Sequence, residues 1–181
     1  MLAIFVVETN SRNRSDEIYI RKYLKSFYDI NSGDDVIRTV YLGGKDNYRD
    51  SARQEDIRTL TSKYLSIDRD DRKVVVMYFI DTDDISRGPD ANTNRRKAKE
   101  IEEFCRQRNY EFIWFHEVIE EAFVGTRVSS NEKKAVAEQF ERKVRININR
   151  SKLRYSDFSE CKIGTSNIDL VFRQFFTEKA C

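Results

Sequence analysis

Residues 74–84 read VVVMYFIDTDD, an unbroken apolar run that stops in three carboxylates, Asp81, Asp83 and Asp84. A strand with one face in water alternates polar and apolar residues. A run without alternation marks a strand covered on both faces, as in a parallel sheet between layers of helices. Such sheets bind ligands beyond the carboxyl ends of their strands. On a strand, Asp81 and Asp83 are two residues apart and share a face, which makes the pair a candidate for holding a divalent cation.

An Asp-rich turn that merely ends a strand in water is the ordinary alternative, and the N-terminus argues against it. Residues 2–7, LAIFVV, form a second unbroken apolar run, and it too ends in a carboxylate, Glu8. The carboxyl ends of parallel strands lie along one edge, so Glu8 is expected beside Asp81 and Asp83. Carboxylates with no Cys and no His among them suit Mg²⁺ or Mn²⁺, hard cations that complete their shells with water and phosphate oxygens.

Working outward, strands and helices alternate. Ser15 is expected to cap a first helix with Asp16 and Glu17 in its opening turn and Ile20, Tyr23, Leu24 and Phe27 on its buried face. Residues 36–42 form the next strand, closed by Gly43 and Gly44. A helix over 53–65 follows, with Ile57, Leu60, Thr61 and Tyr64 on one face, and then the strand at 73–80. The loop after Asp84 holds the single proline, Pro89, in a Gly-Pro turn. A third helix is expected from Thr93 or Asn94, burying Ala98, Ile101, Phe104 and Cys105, and 110–115 is a fourth strand. The pattern is βαβαβαβ. Two more helices are expected, over 132–145 with Val136, Phe140 and Val144 inward, and over 167–178 with Ile168, Val171, Phe172 and Phe175 inward.

At 181 residues the chain suits one compact domain with a sizeable core. The expected organisation is an α/β core over 1–128 and a helical extension over 129–181 packed on it. With 39% hydrophobic and 12% aromatic residues the chain is not disordered, and 35% charged residues give an ionic surface. Its 33 basic and 31 acidic side chains nearly cancel, so net charge alone implies no nucleic-acid partner. Three widely spaced cysteines, Cys105, Cys161 and Cys181, and one histidine, His116, support neither a zinc site nor a disulfide framework. The opening MLAIFVVE lacks a basic start, and no stretch reaches the length of a membrane span, so no membrane association and a cytoplasmic location are expected.

A strand ending in Glu8, followed two βα units later by one ending in Asp81-x-Asp83, resembles the TOPRIM superfamily of topoisomerases, primases and OLD-type nucleases. Within it the chain is most similar to RloB-like proteins of bacterial defence loci. The resemblance covers about the first two thirds of the chain. It implies a TOPRIM-like, Rossmann-like, mainly parallel sheet of about four strands flanked by helices, with extra C-terminal helices. It also implies Mg²⁺-dependent nuclease or related phosphotransfer activity on DNA or RNA in bacterial or phage defence, with a partner ATPase as a further implied associate. Glu120, in WFHEVIEEAFVG, resembles an acidic residue that RloB-like proteins carry after the fourth strand; Glu117 and Glu121 are equally available. The candidate metal ligands are thus Glu8, Asp81, Asp83, Asp84 and Glu120, and the candidate catalytic residues are Glu8, Asp81, Asp83 and Lys45. A metal held by carboxylates needs no histidine, and His116 is a candidate proton carrier or an ordinary strand-end residue.

Lys45, in YLGGKDNY, follows the second strand at the same edge and could meet a phosphate. Its surroundings are not a P-loop, because Asp46 stands where a Ser or Thr would meet magnesium. Arg12 and Arg14 lie in the first loop. Between 132 and 154, Lys133, Lys134, Arg142, Lys143, Arg145, Arg150, Lys152 and Arg154 outnumber Glu132, Glu138 and Glu141, as expected of a phosphate-contacting surface or of a solvated helix face. Arg95, Arg96, Lys97 and Lys99 sit near a helix N-terminus, where cations are unfavourable. A non-catalytic TOPRIM-like binding module, or a subunit of a larger complex, is the alternative to an enzyme.

Overall fold

A computed structural model describes residues 1–30, 35–67, 72–86, 88–158 and 162–180. Cys161 and Cys181 lie outside the described residues. Strand β1 (Leu2–Val7) is buried along its whole length, because it is central and hydrogen-bonds a neighbour on each side. One neighbour is β3 (Val36–Tyr41), the other β4 (Val74–Asp81), and β5 (Glu111–Phe115) lies beyond β4. All three pairings are parallel, giving a four-stranded sheet of order β3-β1-β4-β5.

The period of two sorts β1 between two cores. Leu2, Ile4 and Val6 join Val76, Tyr78 and Ile80 of β4 on one face, while Ala3, Phe5 and Val7 join Val75, Met77 and Phe79 on the other. The first face is covered by α2 (Ser51–Leu65), through Ile57, and by α3 (Ala91–Gln107), through Ile101, Phe104 and Cys105. The second is covered by α1 (Ser15–Phe27), through Tyr19, Ile20, Tyr23 and Leu24. The same face also takes α6 (Ile168–Phe175), whose Phe172 packs on Phe5 and Phe79, and α4 (Ile119–Phe123), whose Phe123 packs on Phe115. Helix α5 (Lys133–Arg142) packs against α1 through Phe140 on Tyr19. The protein is therefore an α/β fold with an all-parallel four-stranded sheet between helical layers, consistent with a Rossmann-like arrangement. Among the described residues no helix is long and apolar enough to cross a membrane.

The outer edge of β5 is closed by the chain itself. Asn167 accepts the Trp114 amide at 3.0 Å and donates to the Phe112 carbonyl at 2.8 Å, and Ser166 pairs with Phe115. Its side-chain amide thus stands in for a missing strand. Near the C-terminus, β6 (Thr177–Glu178) pairs antiparallel with β2 (Tyr28–Asp29), which follows α1 directly.

Several boundaries differ from those the sequence suggests. Helix α1 begins at Ser15 rather than after it: the Asn13 side chain accepts the Ser15 amide, and Ser15 is buried with its hydroxyl on Asp16. Helix α3 begins at Ala91, directly behind the Gly88-Pro89 turn. Its basic start is answered by acids: Lys97 meets Asp46 at 3.0 Å, and Arg96 and Lys97 both approach Glu100. Helix α5 stops at Arg142 because Lys143 turns extended, its carbonyl taking the Lys22 ammonium at 2.5 Å, so Val144 is not inward but 97% exposed. Helix α6 stops at Phe175, since the chain extends at Phe176 to form β6. Cys105 is a free, buried thiol.

Candidate functional site

The crossovers part company beside β1. From β1 the chain leaves toward β3 through α1 on one face, whereas from β4 it leaves toward β5 through α3 on the other. In an open α/β sheet such a switch point lies beyond the carboxyl ends of the two central strands, and ligands bind there. Glu8 and Asp81 stand at those two ends.

Glu8 Oε1 accepts the Asp81 amide at 2.8 Å, and the Glu8 carbonyl accepts the amide of Gly44 at 2.8 Å. The Asp81 carboxylate in turn accepts the amide of Ile119, first residue of α4, at 3.0 Å. Asp16, from the first turn of α1, accepts the Thr9 amide at 3.2 Å. Glu120, in α4, is fully buried, with the Lys133 ammonium 3.1 Å from one carboxylate oxygen and 3.3 Å from the other.

These acids are crowded and short of water, and their ionisation reflects it. Burial, resisted by Lys45 and reinforced by the charges of Asp16 and Asp83, pushes Glu8 up to about 8. Burial and then the Glu120 charge push Asp16 up to about 6. Asp81 is driven well above the usual carboxylate range by burial and by the charges of Glu8, Asp16 and Glu120. The Tyr19 phenol, raised by burial and by Glu120 and Asp16, completes the group. Among the described residues Tyr19 Oη and Thr9 Oγ1 are buried with no hydrogen-bond partner.

No protein-family model, curated protein or solved structure matches this chain.

The structure thus brings together Glu8, Asp81 and Glu120 from the candidate ligands and adds Asp16. Asp83 is placed differently. The strand ends at Asp81, and Asp83 takes a left-handed conformation (φ 53°), with its amide on the carbonyl of Glu117, itself left-handed (φ 65°). Non-glycine residues in that region are strained and concentrate at functional sites. The alternation that would align Asp83 with Asp81 is broken, and the Asp83 carboxylate pairs with the Lys45 ammonium. Asp84 accepts the amide of Ser86 at 3.0 Å and its hydroxyl at 3.2 Å, shaping the turn toward α3. Lys45 opens a 3-10 turn after Gly43 and Gly44 and also approaches the Asp81 carbonyl at 3.4 Å.

Among the described residues no three His, Cys, Asp or Glu side chains stand ready to hold a metal ion. The donor chemistry nonetheless fits a hard divalent cation: the donors are oxygens only, their charges repel, and the buried Tyr19 Oη has no hydrogen-bond partner among the described residues. The ligand set is engaged elsewhere, with backbone amides on Glu8, Asp81 and Asp16 and an ammonium on Glu120.

The basic candidates scatter. Lys133 turns inward to Glu120. Lys134, Arg142, Lys143 and Arg145 are exposed, Arg142 lying 4.0 Å from Glu138. Arg12 is exposed, and Arg14 hydrogen-bonds Glu17 at 2.7 Å. Arg150 and Arg154 are structural: both bind the fully buried Asp169, at 2.7 and 2.5 Å. His116 is buried, and that burial, against the charges of Glu117 and Asp84, lowers its pKa. Sequence reasoning placed Asp16 as a helix-start residue and Lys133 as one of a basic run. The one available signal, an acid beside Ser15 and another three residues before Ile20, is equally that of any helix N-terminus.

Proposed function

We propose that the chain is a divalent-cation-dependent phosphotransfer enzyme, a nuclease acting on DNA or RNA, of the kind that resemblance to TOPRIM domains implies. The observation that carries this reading is the gathering of Glu8, Asp81, Asp16 and Glu120 at the switch point of a parallel sheet, where burial and mutual repulsion leave them seeking positive charge.

Glu8, Asp81 and Glu120 would hold Mg²⁺ or Mn²⁺, which supplies Lewis-acid polarisation of a phosphodiester and an acidified water. The chain's own groups do the rest. Glu8, at about 8, holds a proton near neutral pH in the metal-free chain and would give it up on becoming a ligand. Lys45 lies at the outer rim beside Asp83, able to meet a phosphate without rearranging the sheet. The exposed Lys134, Arg142, Lys143 and Arg145 are available to flanking phosphates.

The engagement of every acid by an amide or a lysine favours a second reading, a degenerate TOPRIM-like binding module without catalysis. Cleavage assays separate the two. Wild-type protein with Mg²⁺ or Mn²⁺ is expected to cut single- or double-stranded DNA or RNA and to stop with chelator. Asp81→Asn is expected to lose activity roughly 100-fold or more while melting normally. Nucleic-acid binding without metal-dependent cleavage of any of these would favour the binding module.

A further inference from the structure

The acidic cluster has an exposed side and a buried side, and each carries one lysine. On the exposed side Lys45 pairs with Asp83, whose side chain is 44% exposed. On the buried side Lys133 pairs with Glu120, which is entirely buried. A buried carboxylate needs a counter-charge, so the buried pair is an electrostatic requirement and the exposed one is not. The Lys133 ammonium reaches beyond Glu120: it also lies in the fields of Asp81 and Asp16. One cation thus contacts one acid and offsets the charge of two more.

We propose that the Lys133 ammonium is a tethered stand-in for a cation on the buried side of this cluster, and that it sets divalent-cation affinity by competing for Glu120, Asp16 and Asp81. The proposal rests on the reading that the pocket takes a divalent cation. Two further observations support it. First, Lys133 is not what anchors its helix: Ala137 and Phe140 are buried, with Phe140 against Tyr19 and Phe123. The Lys133 side chain is itself 25% exposed, so it borders solvent while Glu120 does not. Second, Tyr19 is fully buried, yet its Oη lacks a hydrogen-bond partner among the described residues, as does Thr9 Oγ1 on the residue whose amide binds Asp16. A lysine donates protons along three directions and cannot accept one, so it leaves a phenol hydrogen unmet. A hydrated divalent ion brings oxygen donors and acceptors on every side.

Calorimetric titration with Mn²⁺ at pH 8 tests the competition, using wild type, Lys133→Met and Lys134→Met. Met keeps most of the stem's volume and removes the charge; Lys134 is the adjacent, exposed lysine and controls for general electrostatics. Lys133→Met is expected to bind Mn²⁺ roughly tenfold more tightly than wild type, and Lys134→Met within about twofold of it. If Lys133→Met binds no more tightly than Lys134→Met, the proposal is overturned. Should wild type bind and Lys133→Met match it, only the competition fails; if none of the proteins binds, the cation reading falls with it. Circular-dichroism melts check folding. If Lys133→Met does not fold, Glu120→Gln and Glu120→Gln/Lys133→Met replace the comparison, because the double variant leaves no unpaired charge from that pair. The double variant must then bind more tightly than Glu120→Gln alone, and equal affinity overturns the proposal.

Discussion

Two adjacent acids, Asp16 and Glu17, open α1 and meet opposite fates. Glu17 turns to β3, where burial alone would raise it but hydrogen bonds from Arg14, Tyr41 and Thr39 hold it at about 2. Asp16 turns to the pocket and is raised to about 6. Sequence pattern cannot separate them, since both satisfy a helix N-terminus; Glu8 and Asp81 were legible because each interrupts an apolar run. Glu8 yields a pH prediction with a definite sign. Its folded-state value of about 8 exceeds the ordinary 4.5, so the folded chain keeps a proton that the unfolded chain releases. That stability is fully present below about 4.5 and lost as pH rises through 8. Denaturant melts of metal-free protein are expected to show falling stability from pH 5 to 8. Glu8→Gln should flatten the fall and be more stable than wild type by ~1–2 kcal/mol at pH 8. Parallel pH profiles for the two proteins would contradict the assignment.

At the scale of elements, length decided what the sequence could reveal. β1 and β4 are long enough to stand out as unbroken apolar runs, and α1 and α3 carry enough residues for a helical period to emerge. β2 and β6 have two residues each and α4 has five, too few for any period, yet α4 supplies Glu120 and the amide that binds Asp81. The basic stretch misled in part, because Arg150 and Arg154 are drawn inward by Asp169 on α6, which also accepts the Tyr23 hydroxyl at 2.6 Å and that of Tyr28. This cluster ties α1 to α6. Asp169→Asn is expected to cost about 3 kcal/mol in urea unfolding, since it leaves two arginines without their buried partner. It should leave cation affinity unchanged. A loss below about 0.5 kcal/mol would mean the cluster contributes little.

For the whole molecule, four parallel strands in the order β3-β1-β4-β5 place the ends of β1 and β4 side by side at the switch point. The sequence made the strands and their acidic ends legible; it could not give their order, and hence not the neighbours that α1, α4 and α5 deliver to those ends. The central claim is that this edge is a cation site whose acids hold protons until a cation displaces them. Its most direct test is Mn²⁺ calorimetry at pH 7 in two buffers of different ionisation enthalpy, which measures binding and proton release together. Wild type is expected to bind with release of at least one proton, because Glu8 retains one at that pH and Asp81 is raised as well. Glu8→Gln should bind more weakly and release about one proton fewer than wild type. Absence of binding, or binding with the same proton release in wild type and Glu8→Gln, would contradict the account.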